Sequence, residues 1–277
     1  MKQQPVKISM LIFLLAGSVA NAQKGVKGMI KAELAFAYFT ETHTVKEGFL
    51  QFMDSNGVVF NNGASLNAIQ VYQQAKAGKT VLSWKPVFAV MSFSGDLGVT
   101  SGPFEVRPSS RKDAVSAKGS FSSVWRISKE GFWKNLADLG VSYQANYSTP
   151  KRIQEITLPP SDQTHTGSLS DILELDREFN NSIREKNLAK LGSFIPSDSW
   201  LNMQGELPFS GETLITNMLL HIPESVVMTP ITGGISIAGD LAYVYGSVVN
   251  QGIKENYLRV WINRNNEWQV ILQTIKW

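Results

Sequence analysis

The sequence predicts an α+β fold that occurs twice along the chain. Three observations carry this expectation. Two segments repeat in the same order about 140 residues apart. Each copy runs helices first and then a series of long strands. A proline-, serine- and threonine-rich stretch lies between the copies. The repeat is clearest at Trp84-Lys85-Pro86 to Ser94-Gly95-Asp96-Leu97 and at Met228-Thr229-Pro230 to Ala238-Gly239-Asp240-Leu241. Val124-Trp125 matches Val260-Trp261, Phe132-Trp133 matches Glu267-Trp268, and Glu33-x-x-Phe36 matches Asp176-x-x-Phe179.

In the first copy, Met29, Phe36 and Phe39 mark one face of a helix over about 28–43. Thr44-Val45-Lys46-Glu47 reads as a capping box that opens a second helix. Val58-Val59-Phe60 is a short strand, and 65–77 a helix stopped by Gly78. Strands follow over 80–93, 96–106, 118–128 and 132–143, with tight turns at Ser94-Gly95-Asp96 and Lys129-Glu130-Gly131. In the second copy, Ile172, Leu175, Phe179 and Ile183 make an amphipathic helix. A further helix is expected over 211–221, then strands near 225–237, 240–250, 254–264 and 267–276. Residues 146–167, with Pro150, Pro159 and Pro160, read as a semi-extended linker.

The N-terminus reads as an export signal. Lys2 and Lys7 precede the apolar run Met10 to Ala16, and Val19-Ala20-Asn21-Ala22 places small residues where a signal peptidase cuts. The run is too short to span a bilayer. The expected organisation is a signal peptide over 1–22 cleaved after Ala22, a first domain over 26–145, a linker over 146–167 and a second domain over 168–277. A secreted or periplasmic location follows. Loss of Lys2 and Lys7 takes the net charge from +3 to about +1, which gives no electrostatic footprint for nucleic acid or an anionic membrane.

The chain has 277 residues, is 43% hydrophobic, and has no cysteine and three histidines. That excludes disulfides, thiol nucleophiles and cysteine metal sites, and makes a histidine metal cage improbable. No metal and no cofactor are expected. Gly78-Lys79-Thr80 lacks the upstream glycine of a phosphate loop, and neither Gly-x-Ser-x-Gly nor His-Glu-x-x-His occurs.

The motifs Trp84-x-Pro86, Ser94-Gly95-Asp96-Leu97-Gly98-x-Thr100-x-Gly102-Pro103, Ser123-Val124-Trp125-Arg126, Gly131-x-Trp133-Lys134 and Asp138-Leu139-Gly140 together form a pattern. It resembles the secreted SnoaL-like proteins of the nuclear transport factor 2-like superfamily. The likeness covers about residues 28–143; copy two keeps Gly239-Asp240-Leu241, Trp261 and Trp268. It implies two tandem cone-shaped domains, each a curved antiparallel sheet packed against N-terminal helices, with a pocket at the open end. The superfamily holds ketosteroid isomerase-like, dehydratase and epoxide hydrolase members and many proteins of no known activity, so the resemblance gives fold and not function. Where its pattern often has an aromatic after Asp-Leu-Gly, copy one has Val99; copy two has Tyr243 at the matching place.

Two readings stand beside each candidate residue. The strand tryptophans Trp84, Trp125, Trp133, Trp261, Trp268 and Trp277 either pack sheet against helix or stack on a ligand. Asp96 and Asp240 suit turn geometry, with general base as the sharper reading. Asp138 is either a buried functional carboxylate or half of a salt bridge. His43 and His221 end helices, where they interact with C-terminal carbonyls or serve as acid/base groups; His165 lies in the linker. Tyr243 and Tyr245 share one face of a strand, as do Arg259 and Trp261. If those faces point inward, these four with Trp84 and His43 would line a ligand pocket. The expected role is binding of a small apolar ligand or a partner in the cone pocket. The alternatives are a small-molecule isomerase, dehydratase or hydrolase, and an intrachain pseudo-dimer whose sheets pack face to face.

Overall fold

A computed structural model describes residues 25–160, 167–211 and 213–277. The expected signal with its Ala22 cleavage point and His165 lie outside them. The first half comprises α1 (Val26–Thr42), α2 (Val45–Phe52), β1 (Met53–Asn61), β2 (Ala64–Asn67), α3 (Ala68–Gln74), β3 (Val81–Trp84), β4 (Phe88–Met91), β5 (Leu97–Arg107), β6 (Ala117–Ile127) and β7 (Trp133–Ser142). After β8 (Gln154–Thr157), the second half comprises α4 (Leu169–Arg184), α5 (Leu188–Phe194), β9 (Trp200–Met203), β10 (Phe209–Ser210), α6 (Leu214–His221), β11 (Val227–Ile235), β12 (Leu241–Asn250), β13 (Ile253–Arg264) and β14 (Glu267–Ile275). The fold is α+β, with two sheets that fit two domains. The first runs β2-β1-β7-β6-β5-β4-β8 with β3 also on β5, and the second β10-β9-β14-β13-β12-β11. Among the described residues, no helix is long and apolar enough to cross a membrane.

Local chemistry explains where the elements depart from the sequence reading. Asn62-Gly63 takes positive φ at both residues and closes a two-residue hairpin pairing Asn61 with Ala64. That draws Ala64–Asn67 into a strand and delays α3, whose cap is the Asn67 side chain accepting from the Gln70 N–H. The helix ends before Gly78 is reached. The expected strand over 80–93 is two strands, because Pro86 carries no N–H for the ladder. Its break faces Gly102, where a Cβ would stand 2.1 Å from the Lys85 carbonyl oxygen. Pro230 marks the matching irregularity in β11. Residues 146–167 are not only a linker: Gln154–Thr157 extend the first sheet as β8, parallel to β4. The Gln154 N–H donates to Val87 O and the Leu158 N–H to Met91 O.

Both sheets carry a bulge at the same point of the repeat. In β7, Val124 pairs with Ala137 but Trp125 with Asn135, leaving Leu136 as the extra residue. In β14, Val260 pairs with Leu272 but Trp261 with Val270, leaving Ile271 extra. An extra residue inverts the face on which the following side chains lie. Trp133 and Asn135 therefore share the helix-facing side with Asp138 and Gly140, while Leu136, Ala137 and Leu139 turn the other way.

The faces turned away from the helices meet each other. One buried apolar cluster takes Val87, Val90, Leu97, Val99, Val124 and Leu139 from the first sheet and Leu241, Tyr243, Leu258, Val260, Ile262 and Leu272 from the second. A buried polar group is satisfied inside this contact. Asn202 Nδ2 donates to Ser101 Oγ at 2.9 Å and Ser122 Oγ at 3.2 Å, and Ser122 Oγ lies 2.7 Å from Thr274 Oγ1. The two Gly-Asp-Leu turns grip each other reciprocally. Asp240 Oδ2 accepts from the Phe93 N–H at 2.7 Å, and Asp96 accepts from the Ile237 N–H at 3.2 Å. Each carboxylate is also held in its own turn, Asp240 by Ser236 Oγ and Asp96 by Ser94 Oγ. Such like-for-like contact is what a twofold relation produces, here within one chain. It gives Asp96 and Asp240 a task as turn residues that also join the halves.

Candidate functional site

Each half places one acid of its first long helix under the sheet. Glu33 on α1 is fully buried and accepts from Trp84 Nε1 at 2.5 Å, Trp125 Nε1 at 2.8 Å and Thr100 Oγ1 at 2.5 Å. Burial raises its pKa above the ordinary value; the donors oppose the shift without cancelling it. Asp176 on α4 is the counterpart, also fully buried. It accepts from Trp261 Nε1 at 3.0 Å and from the Tyr257 hydroxyl. Trp84, Trp125 and Trp261 thus pack between sheet and helix and also donate to a buried carboxyl.

The halves differ in what fills the remaining space. In the second, Arg259 is fully buried and pairs with Asp176 at 2.8 Å. It donates from Nε to Gln273 Oε1 at 2.6 Å and from Nη2 to Asn180 Oδ1 at 2.9 Å, with its guanidinium 4.2 Å from the Phe179 ring centre. The space left beside Phe179, Met218 and Gln273 is about 10 Å³. In the first half the positions of Arg259 and Gln273 are taken by Ser123 and Asp138, paired across the strands in the same register. Ser123 Oγ donates to Asp138 Oδ2 at 2.6 Å. A cavity of about 200 Å³ opens beside Asp138, lined also by Phe49, Leu82, Trp84, Phe104, Phe121 and Gly140.

Among the described residues, Asp138 is the only ionisable group on that wall. No cation pairs with it among the described residues, so the salt-bridge reading does not hold. Its carboxyl faces a mostly apolar space, and burial pushes its pKa up to about 7, helped by the charge of Glu33 and opposed by the hydrogen bonds from Ser123 and Asn135. Tyr72, stacked on Phe49 at 4.3 Å, lies close enough for Asp138 to add to the rise that burial gives its phenol. The arrangement can accept or donate one proton or hydrogen bond within an aromatic enclosure.

The residues singled out as one pocket are separated. Tyr243 is opposite Val260 and Tyr245 opposite Leu258, so both tyrosines face the first half. Arg259 and Trp261 lie on the other face, inside the second core. Trp84 lines the first-half cavity. His43 is exposed at the end of α1, its ring stacked on Phe39 and its Nδ1 3.1 Å from the Phe39 carbonyl oxygen. His221 ends α6 in the same manner, Nδ1 2.7 Å from Asn217 O. The sequence offers Asp138 as a functional carboxylate but shows neither its place on a cavity nor its near-neutral pKa. The available clue was Gly140 two residues on, a position without a side chain on the same face.

No protein-family profile matches the chain, and no curated protein does. Among solved structures, an NTF2-like protein from Cytophaga hutchinsonii shares 18% identity, covering 39% of this chain and 97% of its own, at a TM-score of 0.33. A protein of unknown function with a cystatin-like fold from Nostoc punctiforme shares 23%, covering 38% and 86%, at 0.31. A DUF3225 protein of unknown function from Pectobacterium atrosepticum shares 15%, covering 38% and 87%, at 0.33.

Proposed function

We propose that the protein binds a small, mostly apolar ligand in the first-half cavity, with Asp138 as its one polar anchor. The observation that supports this most is the contrast between the halves. The first half has an aromatic cavity of about 200 Å³ beside Asp138, whereas the space beside the matching Gln273 in the second is about 10 Å³. A cavity of about 200 Å³ suits a single ring, since an apolar void of roughly 150 Å³ takes up benzene. In this reading the second half is a filled partner in an intrachain pseudo-dimer, a role that the shared apolar cluster supports. The leader expected over 1–22 supports export, so the ligand would be met outside the cytoplasm.

Titration of the protein with p-cresol, followed by NMR, tests the reading. One equivalent is expected to bind and to perturb Phe104, Phe121 and Asp138. Gly140→Leu, whose Cβ would already stand 3.3 Å from the Phe104 ring, is expected to abolish binding while the fold is kept. Absence of saturable binding to the unaltered chain would sink the proposal. A second reading is proton transfer on a bound substrate, of the isomerase, dehydratase or hydrolase kind. It is favoured by a carboxyl near neutrality beside a buried phenol.

A further inference from the structure

A second and larger opening lies at the edge of the contact between the halves. It measures about 550 Å³, and its wall includes Arg126, Lys129, Val58 and Leu136 from the first half and Tyr243 and Tyr245 from the second. Arg126 is the unusual member. Among the described residues no carboxylate pairs with it, and its Nε is buried without a hydrogen-bond partner. An arginine held this way is a donor set awaiting an acceptor. Two acids share the wall, Asp54 and Glu130. Both are engaged within their own turns: Asp54 accepts from the Asn56 N–H at 2.9 Å, and hydrogen bonds from Ser128 and the backbone hold Glu130 below the usual carboxylate range.

The duplication supplies a control for this opening. Leu97 pairs with Arg126 in the first sheet as Leu241 pairs with Ile262 in the second. The counterparts of Arg126 and Tyr243 are therefore Ile262 and Val99. Both are fully buried in the shared apolar cluster. One end of the contact is thus closed by aliphatic side chains, while the related end carries a guanidinium and a phenol and stays open. The β6–β7 connection adds to the difference. Five residues separate Ile127 from its partner Trp133, whereas Asn265-Asn266 alone join β13 to β14. The longer turn brings Ser128 and Lys129 to the opening. Burial raises the Tyr243 pKa to about 12, so its hydroxyl stays a donor at neutral pH.

We infer that this crevice binds a small organic anion, its acid group on Arg126 and Tyr243 and its apolar body against Val58, Leu136 and Tyr245. The guanidinium supplies paired donors and the phenol a third. The site is distinct from the Asp138 cavity and does not depend on it.

Calorimetric titration of the intact protein with benzoate, beside its neutral analogue benzamide, tests the inference. Benzoate is expected to bind with one equivalent and benzamide at least tenfold more weakly. Arg126→Gln should weaken benzoate at least tenfold, with Arg126→Lys recovering part of the loss. Tyr243→Phe should weaken benzoate several-fold; it removes only a hydroxyl and so stands in if the Arg126 variants fail to fold. Saturating p-cresol, which occupies the cone cavity, should leave benzoate affinity unchanged, and this separates the two sites. Equal affinity for benzoate and benzamide, no saturable binding, or an unchanged affinity in both Arg126→Gln and Tyr243→Phe would overturn it.

Discussion

Replacing Arg259 by leucine is expected to destabilise the chain by about 3–5 kcal/mol, the cost of stranding one partner of a buried ion pair. Asp176 would keep its Trp261 and Tyr257 donors but lose the cation paired with it. Asn180 Oδ1 and Gln273 Oε1 would lose donors in the same step. The leucine also cannot refill the space of a guanidinium packed on Phe179. Urea denaturation of the variant beside the parent measures the loss; a change below about 1 kcal/mol would mean that the second core does not rest on this pair.

Leu258→Ala is expected to cost about 2–5 kcal/mol, as for a fully buried leucine whose site relaxes only in part. Its more telling effect is on both halves together. Leu258 belongs to the second sheet, but its cluster includes Val124 and Leu139 of the first. Removing it should lower a single unfolding transition reported alike by tryptophans of either half. Two separated transitions, with only the second displaced, would show that the halves fold independently and that the contact between them is incidental.

Much of this organisation was legible in the sequence. The Gly-Asp-Leu turns, the paired tryptophans and the Glu33/Asp176 match point to the duplication and to helices preceding the long strands in each copy. The sequence leaves open which face each pair of residues takes. Tyr243 and Arg259 lie on adjacent strands, and only their register decides whether they share a face. Their register follows from the two-residue turn Gln251-Gly252, which takes positive φ at both positions and pairs Asn250 with Ile253. That pairing sets odd residues of β12 against even residues of β13, which puts Tyr243 and Arg259 on opposite faces. The bulges at Leu136 and Ile271 were hidden for a different reason. Neither is a glycine or proline, so no local signal marks them. The strand β8 was read as linker because its partner β4 lies more than 60 residues away, and a short polar segment shows no period of its own. Asp138 could be read as a carboxyl in a strand; that it faces space depends on Phe49, Leu82 and Phe104, which lie far from it in sequence.

Asp138 is the carboxyl on which anchoring of the ligand rests. With its folded pKa near 7 and an unfolded value near 3.9, the native state holds a proton that the unfolded chain has released. Its contribution therefore weakens stability as pH rises from about 4 to 7 and is constant above that range. Asp138→Asn should flatten this decline. The most direct measurement is the pH titration of the Asp138 carboxyl carbon by NMR, with and without p-cresol. A midpoint close to 7 that moves when the ligand occupies the cavity is the result predicted. A midpoint near 4, indifferent to ligand, would place the carboxyl in ordinary solvent and contradict the account.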